Sequence, residues 1–288
     1  MLVRDGPGGW DHGTVMSEAG IAVGRPPLDA AALRDRLIQP GGLWRELWVR
    51  PETGSTNADL LAEARAGAAE GLVLVAEAQT AGRGRLGRSW VSPPRAALTC
   101  SVLLRPDGVR PGQWGWLPLL TGVAVAAALR DEAAVPARLK WPNDVLVDEH
   151  KLAGILAEVA SPQPLIVVGI GLNVTLRPDE ISEPGATSLL SLGSDADRNT
   201  LACNLFSELA KRLRRWRDTG GADSALTADY CARSVTIGSL VRALLPGDAE
   251  IVGDAVGVDE RGRLCIDTGD AVVAVSAADI IHLRPASG

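Results

Sequence analysis

Apolar residues along the chain fall into short runs separated by glycine, proline and charged clusters, and the pattern changes at Leu28 and again near Arg233. Asp29 precedes a stretch carrying Ala32, Leu33, Leu37 and Ile38, closed by Pro40-Gly41-Gly42, which predicts a capped helix. Residues 44–49 alternate as a strand does. Ser55-Thr56-Asn57 then opens a second helix over 58–66, with Ser55 or Thr56 as its cap. Continuous apolar runs predict strands at 72–76 and 98–104, and 117–129 predicts a largely buried helix. Further strands follow at 137–141, 145–147, 152–159 and 165–170. Residues 200–217 set Leu201, Leu205, Leu209 and Leu213 on one face of a long amphipathic helix. Its Lys211, Arg212, Arg214 and Arg215 lie towards the C-terminal end, where the helix dipole favours cations, so they read as a solvated face.

Beyond Arg233 short apolar runs alternate with turns at Pro246-Gly247-Asp248, Glu260-Arg261-Gly262 and Gly269-Asp270, as in a small β-barrel. Residues 1–27, rich in Gly, Pro and Asp and without periodicity, read as a disordered tail, in which Met16 is an alternative start to Met1. The expected organisation is therefore a tail at 1–27, a larger α+β domain at 28–232 and a small β domain at 233–288.

Composition narrows the classes. With 46% apolar and 22% charged residues, the 288-residue chain can bury a substantial core. A net charge of −6 disfavours a protein that coats nucleic acid or anionic lipid. The first residues lack the apolar stretch of a signal peptide, and no apolar run reaches the roughly 18 residues of a membrane span. A cytoplasmic protein is expected. Cys100, Cys203, Cys231 and Cys265 form no CxxC pair and, with three His in the chain, give no zinc pattern.

Of 29 basic residues only Lys140, Lys151 and Lys211 are lysines, and two of these fall within KWPNDVLVDEHKLAGI. In a chain that otherwise uses Arg, they mark candidate positions for a compact ammonium. The strongest local signal is Gly82-Arg83-Gly84-Arg85-Leu86-Gly87-Arg88-Ser89-Trp90, a flexible loop with three permanent cations that can fork onto phosphate or carboxylate oxygens. Read alone, it is an anionic-ligand loop, a plain solvent loop or an RNA-touching segment. Lys140-Trp141-Pro142-Asn143-Asp144 leaves a strand in a direction that Pro142 constrains, and suits either an anionic nucleotide or a β-turn with a salt bridge. Gly169-Ile170-Gly171-Leu172-Asn173 allows close backbone approach to a ligand, but lacks dinucleotide spacing. No P-loop, GxSxG or HExxH occurs.

Taken together, Ser55-Thr56-Asn57, Gln79-Thr80-Ala81-Gly82-Arg83-Gly84-Arg85, Lys140 to Asp144, Lys151-Leu152-Ala153-Gly154-Ile155-Leu156 and Gly169 to Asn173 have the order and spacing of biotin–protein ligases. Asp197-Arg198-Asn199-Thr200-Leu201 and the C-terminal region also resemble that family, so the resemblance covers about residues 28–286. It implies a catalytic domain similar to the class II aminoacyl-tRNA synthetase fold, followed by a small Src-homology-3-like barrel. It also implies a two-step reaction: biotin and Mg-ATP give biotinyl-5′-AMP, and a lysine of a biotin carboxyl carrier protein or acyl-CoA carboxylase carrier domain then takes the biotinyl group. ATP, Mg²⁺ and biotin would thus be substrates and their metal, without a tightly bound cofactor.

By the same resemblance, Lys151, Arg85 and Asp144 are the catalytic candidates. Ser55, Thr56, Asn57, Gln79, Arg83, Gly84, Arg85, Lys151 and Gly154 would meet biotin. Arg88, Lys140, Asn143, Gly169, Gly171 and Asn173 would meet the nucleotide. No metal ligand is assigned. Leu86 stands where the family often carries a basic or polar residue. Only 54 residues precede Ser55, too few beside the tail, one helix and one strand for the winged helix-turn-helix of repressor relatives. No nucleic-acid or membrane partner is expected, and the chain should be a monomer or weak homodimer. A lipoate–protein ligase is the nearest alternative.

Overall fold

The computed structural model describes residues 24–283 apart from 162–163, 182, 246, 248 and 277. Seven strands form the first sheet: β1 (Glu46–Arg50), β2 (Leu72–Ala76), β3 (Ala97–Leu104), β4 (Arg138–Lys140), β5 (Asp144–Val147), β6 (His150–Ala160) and β7 (Leu165–Asn173). Their order is β1-β2-β3-β7-β6-β5-β4, with β1 and β2 parallel and all other neighbours antiparallel. β3 and β7, at the centre, are buried along their whole length, which is why they read as continuous apolar runs.

Helices cover both faces. α1 (Ala30–Leu37), α3 (Trp116–Ala133) and α4 (Arg198–Asp218) share the main core with Val73, Val75, Leu98, Cys100 and Val102. α2 (Thr56–Arg65) packs Leu60, Leu61 and Ala64 on the opposite face, against Leu72, Leu74, Leu103 and Val167. The strand alternation of β3 therefore sends Cys100 and Val102 to one core and Leu103 to the other. Asp29 caps α1 by accepting from the amides of Ala31 and Ala32, and Ser55 caps α2.

A second, antiparallel sheet has the order β11-β10-β9-β8-β12: β11 (Val272–Val275), β10 (Leu264–Asp267), β9 (Glu250–Val258), β8 (Leu240–Leu244) and β12 (Asp279–His282). The α+β architecture with a small C-terminal sheet is thus as expected. Tryptophans staple the two sheets together. Trp141 donates its Nε1–H to the Gly262 carbonyl (3.0 Å) and its amide to Thr236 Oγ1 (3.1 Å), while Trp116 Nε1 donates to the Asp259 carbonyl (2.9 Å).

Three expectations change. α5 (Ser224–Arg233) stands where no helix was read, because Tyr230 is its only fully buried residue and the apolar stripe is faint. Trp141 and Pro142, expected at and beyond a strand end, form the turn of the β4–β5 hairpin, in which Lys140 pairs with Asp144. Of the expected tail, residues 1–23 lie outside those described, but 25–27 belong to the folded body. Arg25 pairs with Glu180 and donates to the Thr175 carbonyl (2.7 Å), and the Pro26 carbonyl accepts from Arg198 (2.6 Å). Arg198 itself is buried in an ion pair with Glu77 (2.7 Å). Among the described residues no helix is long and apolar enough to cross a membrane.

Candidate active site

The first turn of α2, the loop after β2, the β4–β5 hairpin and the facing parts of β6 and β7 enclose an open cleft of about 710 Å³. Ser55, Thr56, Asn57, Gln79, Arg83, Gly84, Arg85, Arg88, Asn143, Asp144, Lys151, Gly154, Gly169 and Gly171 all line it. Residues scattered over more than a hundred positions thus meet in one place.

One wall is neutral and closely bonded. Gln79 Oε1 accepts from the Thr56 amide (2.7 Å) and lies 3.1 Å from its hydroxyl. Ser101 Oγ is 2.7 Å from Thr56 Oγ1 and 2.6 Å from Asn57 Oδ1. A serine has one hydrogen to give. The amide oxygen of Asn57 can only accept, so Ser101 donates to it and Thr56 donates to Ser101. Asn57 Nδ2 donates to the Leu156 carbonyl (3.1 Å) and Glu158 Oε2 (2.7 Å), which fixes which way the amide faces. Ser55 Oγ accepts from the Ala58 amide (3.4 Å), leaving its own hydrogen for a ligand.

The opposite wall is cationic. Its loop folds back on itself: the Gly84 amide donates to the Arg88 carbonyl (2.6 Å), and the Trp90 amide to the Gly82 carbonyl (2.9 Å). Leu86 at its tip takes a left-handed φ of 55° and is 64% exposed. Arg83 pairs with Glu158 (3.1 Å), and Arg88 reaches across to Asp279 of β12. Arg85 is half-buried and has no carboxylate within ion-pair distance among the described residues; it donates to the neutral Asn143 Oδ1 (3.2 Å). Burial holds its pKa below the usual guanidinium value, against the pull of Asp279 and Asp144. Asn143 is itself clamped through Nδ2 to the Ile155 carbonyl (3.0 Å).

Lys151 Nζ lies 3.4 Å from Asp144 Oδ1 and 3.5 Å from Glu183 Oε1. The backbone fixes it from both sides, its amide donating to the Gly185 carbonyl (2.7 Å) and its carbonyl accepting from Thr187 (2.8 Å). Cys100, on the floor, is no nucleophile, because burial pushes its thiol up to about 12.

Two expected members lie outside this cleft's own lining. Asn173 lines an adjoining cavity of about 940 Å³ that shares Arg88, Ser89, Trp90 and Glu183 with the cleft, and its Nδ2 donates to the Thr187 carbonyl (2.9 Å), tying down the segment beside Lys151. Lys140 also lies outside the lining, and its charge bears instead on His282 of β12, whose pKa burial and Lys140 both lower. The two glycines of β7 have a different use from open ligand access. A Cβ on Gly169 would stand 2.1 Å from Asn57 Oδ1, and one on Gly171 would stand 2.4 Å from the Trp90 ring.

Sequence reasoning assigned no role to Trp90 and missed Ser101 and Glu183. Trp90 lies over Gly171 and beside Gly154, and its buried Nε1–H has no partner among the described residues. Its place at the end of the Gly/Arg motif was the available signal. Glu183 carried none, since a loop carboxylate reaches Lys151 only through the fold. Among the described residues no three His, Cys, Asp or Glu side chains converge as a ready metal site.

Residues 49–174 match the Biotin/lipoate A/B protein ligase family, and residues 236–283 match the Biotin protein ligase C terminal domain. The chain is 54% identical over 265 residues to a biotin–[acetyl-CoA-carboxylase] ligase of Mycobacterium tuberculosis, covering 90% of this chain and 97% of that one. It is 34% identical to the bifunctional ligase/repressor BirA of Escherichia coli, over 83% of this chain and 74% of the relative. Among solved structures, the biotin protein ligase from Aquifex aeolicus in complex with biotin and ATP superposes with a TM-score of 0.72 at 31% identity, over 84% of this chain and all of that one.

Proposed function

The chain belongs to the biotin protein ligase family, and on that premise we propose that its cleft activates biotin with ATP and passes the biotinyl group to a lysine of a carboxylase carrier domain. The observation that carries this reading is the division of the cleft into a bonded neutral wall and a cationic wall whose half-buried Arg85 lacks a counter-ion. A neutral, hydrogen-bonding head group fits the first wall. A carboxylate and phosphates fit the second.

In the first step a biotin carboxylate oxygen attacks the α-phosphorus of ATP. The bond from that phosphorus to the oxygen bridging to the β-phosphate breaks, and pyrophosphate leaves with the oxygen and its electron pair. Two anions must meet, and repulsion opposes the approach. Lys151 and Arg85 offset it from fixed positions, where low dielectric strengthens their pull on the charge that develops. Ser55, Thr56, Asn57 and Gln79 hold the biotin ring system, Arg83 and Gly84 close over it, and Gly154 leaves room beside Lys151. Arg88, Asn143 and the Trp90 indole face are placed for the nucleotide, with Gly169 and Gly171 giving Asn57 and Trp90 their seats. Asn173 meets the nucleotide from the adjoining cavity it lines with Arg88 and Trp90.

Mg²⁺ suits the hard oxygens of Asp144 and Glu183, which with phosphate oxygens make the carboxylate-plus-substrate set this ion prefers, and it would neutralise phosphate charge there. In the second step the neutral lysine amine of the carrier attacks the carbonyl carbon of the mixed anhydride. The carbon–oxygen bond breaks, AMP departs, and the nitrogen sheds its proton as the amide forms. Asp144, at the mouth beside Lys151, orients the incoming amine. The chain works in the cytoplasm as a monomer or weak dimer, without a nucleic-acid partner.

The test is ATP–pyrophosphate exchange on the purified chain with biotin or lipoate. Exchange with biotin alone is expected; exchange with lipoate alone would overturn the substrate. Exchange with neither, despite tight biotin binding, would overturn the enzyme reading.

A further inference from the structure

Each arginine of the Gly/Arg loop is tethered to a different element. Arg85 donates to Asn143 in the β4–β5 turn, Arg88 pairs with Asp279 of β12, and Arg83 pairs with Glu158 of β6. The first two tethers join the loop to the reaction side of the cleft and to the C-terminal sheet. The third reaches the neutral wall, because Glu158 also holds Asn57. Glu158 is not among the residues that line the cleft, so any effect it has there passes through these two side chains.

Asn57 sits over a row of residues on three adjacent strands, in which Ser101 of β3 and Leu156 of β6 both stand opposite Gly169 of β7. Ser101 donates to its Oδ1 (2.6 Å), and the Leu156 carbonyl accepts one Nδ2 hydrogen (3.1 Å). Gly169 leaves the space that a Cβ would otherwise fill, 2.1 Å from the same Oδ1. Glu158 lies two residues beyond Leu156, on the same side of β6, and its Oε2 takes the second Nδ2 hydrogen (2.7 Å). A carboxamide has two N–H hydrogens, so Asn57 is held in one orientation. That same Oε2 accepts from Arg83 Nη2 (3.1 Å), and Arg83 has no other ion pair among the described residues. One carboxylate oxygen thus receives a neutral donor from the rigid wall and a charged donor from the loop.

We propose that Glu158 is a positioning residue that latches the Gly/Arg loop onto the neutral wall and so keeps the activated intermediate covered. The proposal rests on the adenylation reading above. The two contacts of the latch can be separated by substitution. Glutamine at this position keeps an oxygen that accepts from Asn57 but loses the charge that strengthens the Arg83 contact, whereas alanine removes the partner of both.

The test uses the full chain with biotin and ATP, as wild type, Glu158→Gln, Glu158→Ala, Arg83→Gln and the double variant Arg83→Gln with Glu158→Gln. Free biotinyl-5′-AMP released in the absence of carrier protein gives the escape rate, and pyrophosphate exchange gives the KM for biotin. In Glu158→Gln escape should rise about three- to fivefold, the scale of a partly exposed ion pair, with the KM for biotin within about twofold of wild type. Glu158→Ala also strips one hydrogen of Asn57 of its acceptor, so the KM for biotin should rise about tenfold in addition to the faster escape. Arg83→Gln should match Glu158→Gln in escape, and the double variant should escape no faster than either single one, since both remove one contact. A residue that merely braces β6 would raise KM and escape together in Glu158→Gln and leave the double variant additive; either result overturns the proposal. Escape at the wild-type rate in Glu158→Gln overturns it too, while leaving the adenylation reading intact. If Glu158→Ala fails to fold, the glutamine variants decide alone. No adenylate from the wild type would remove the adenylation reading, and the proposal with it.

Discussion

The two walls of the cleft are built on opposite principles. On the α2 side Thr56, Asn57, Gln79 and Ser101 satisfy one another, Ser55, Thr56 and Asn57 are at most 5% exposed, and the shortest bonds are 2.6 and 2.7 Å. On the loop side Arg83, Arg85, Arg88 and Lys151 are half-buried or exposed, their partners stand at 3.1 to 3.5 Å or on another sheet, and one has no counter-ion. A network of groups that already bond one another is ready before a ligand arrives. The cationic wall is not, because Arg85 has no ion pair and the other cations hold carboxylates that a phosphate or carboxylate ligand can displace. Recognition of the neutral part of a ligand thus belongs to a rigid wall, and reaction to an unsatisfied one.

The contrast can be broken most severely at Lys151. Lys151→Ala should slow adenylation by roughly 10²–10³-fold in single-turnover measurements, the scale for losing one pre-placed stabiliser of developing charge. Gly169→Ala attacks the rigid wall. Its methyl would meet Asn57 Oδ1, so the network must open, with a cost of about 1–3 kcal/mol in stability and a rise of roughly tenfold in the KM for biotin, checked by thermal melting and exchange kinetics. Arg85→Ala should speed escape of the adenylate into solution by several-fold (roughly one lost charge-assisted bond), read by trapping the free intermediate. Asp279→Asn releases Arg88 from the C-terminal sheet and should change the exchange rate by about threefold or less, as for other exposed ion pairs.

The smallest effect concerns His282. Burial and Lys140 lower its pKa in the folded chain, so below the ordinary histidine value the unfolded chain binds more protons than the folded one. Stability should therefore fall as pH drops through about 6.5 towards that lowered value. His282→Gln should flatten the dependence in denaturant melts between pH 7 and 5.

Which parts of this were legible in the sequence follows from how local each signal is. Asp29 and Ser55 announce their helices because a cap acts within three residues. The Gly/Arg loop and the Lys151 segment are dense in chemistry over a few positions, and both reach the cleft. Asn173 is identical in kind and lines the adjoining cavity with Arg88 and Trp90, but its bond to the Thr187 carbonyl ties it to a segment whose path past Lys151 no local pattern encodes. Lys140 sits opposite Asp144 in a hairpin, and which side it faces is set by a sheet more than ninety residues away. The parallel pairing of β1 with β2 and the addition of β12 to β8 are likewise non-local. Trp90 read as the last residue of a motif; its place over Gly171, where a Cβ would stand 2.4 Å from the ring, and in the cleft lining shows what it packs against.

The division of labour between the walls is tested most directly by measuring biotin binding and biotin-dependent pyrophosphate exchange on the same preparations of wild-type chain and Lys151→Ala. The account predicts that the variant binds biotin within about tenfold of wild type while exchange falls by at least about a hundredfold. Equal losses in binding and exchange, or exchange at the wild-type rate, would contradict it.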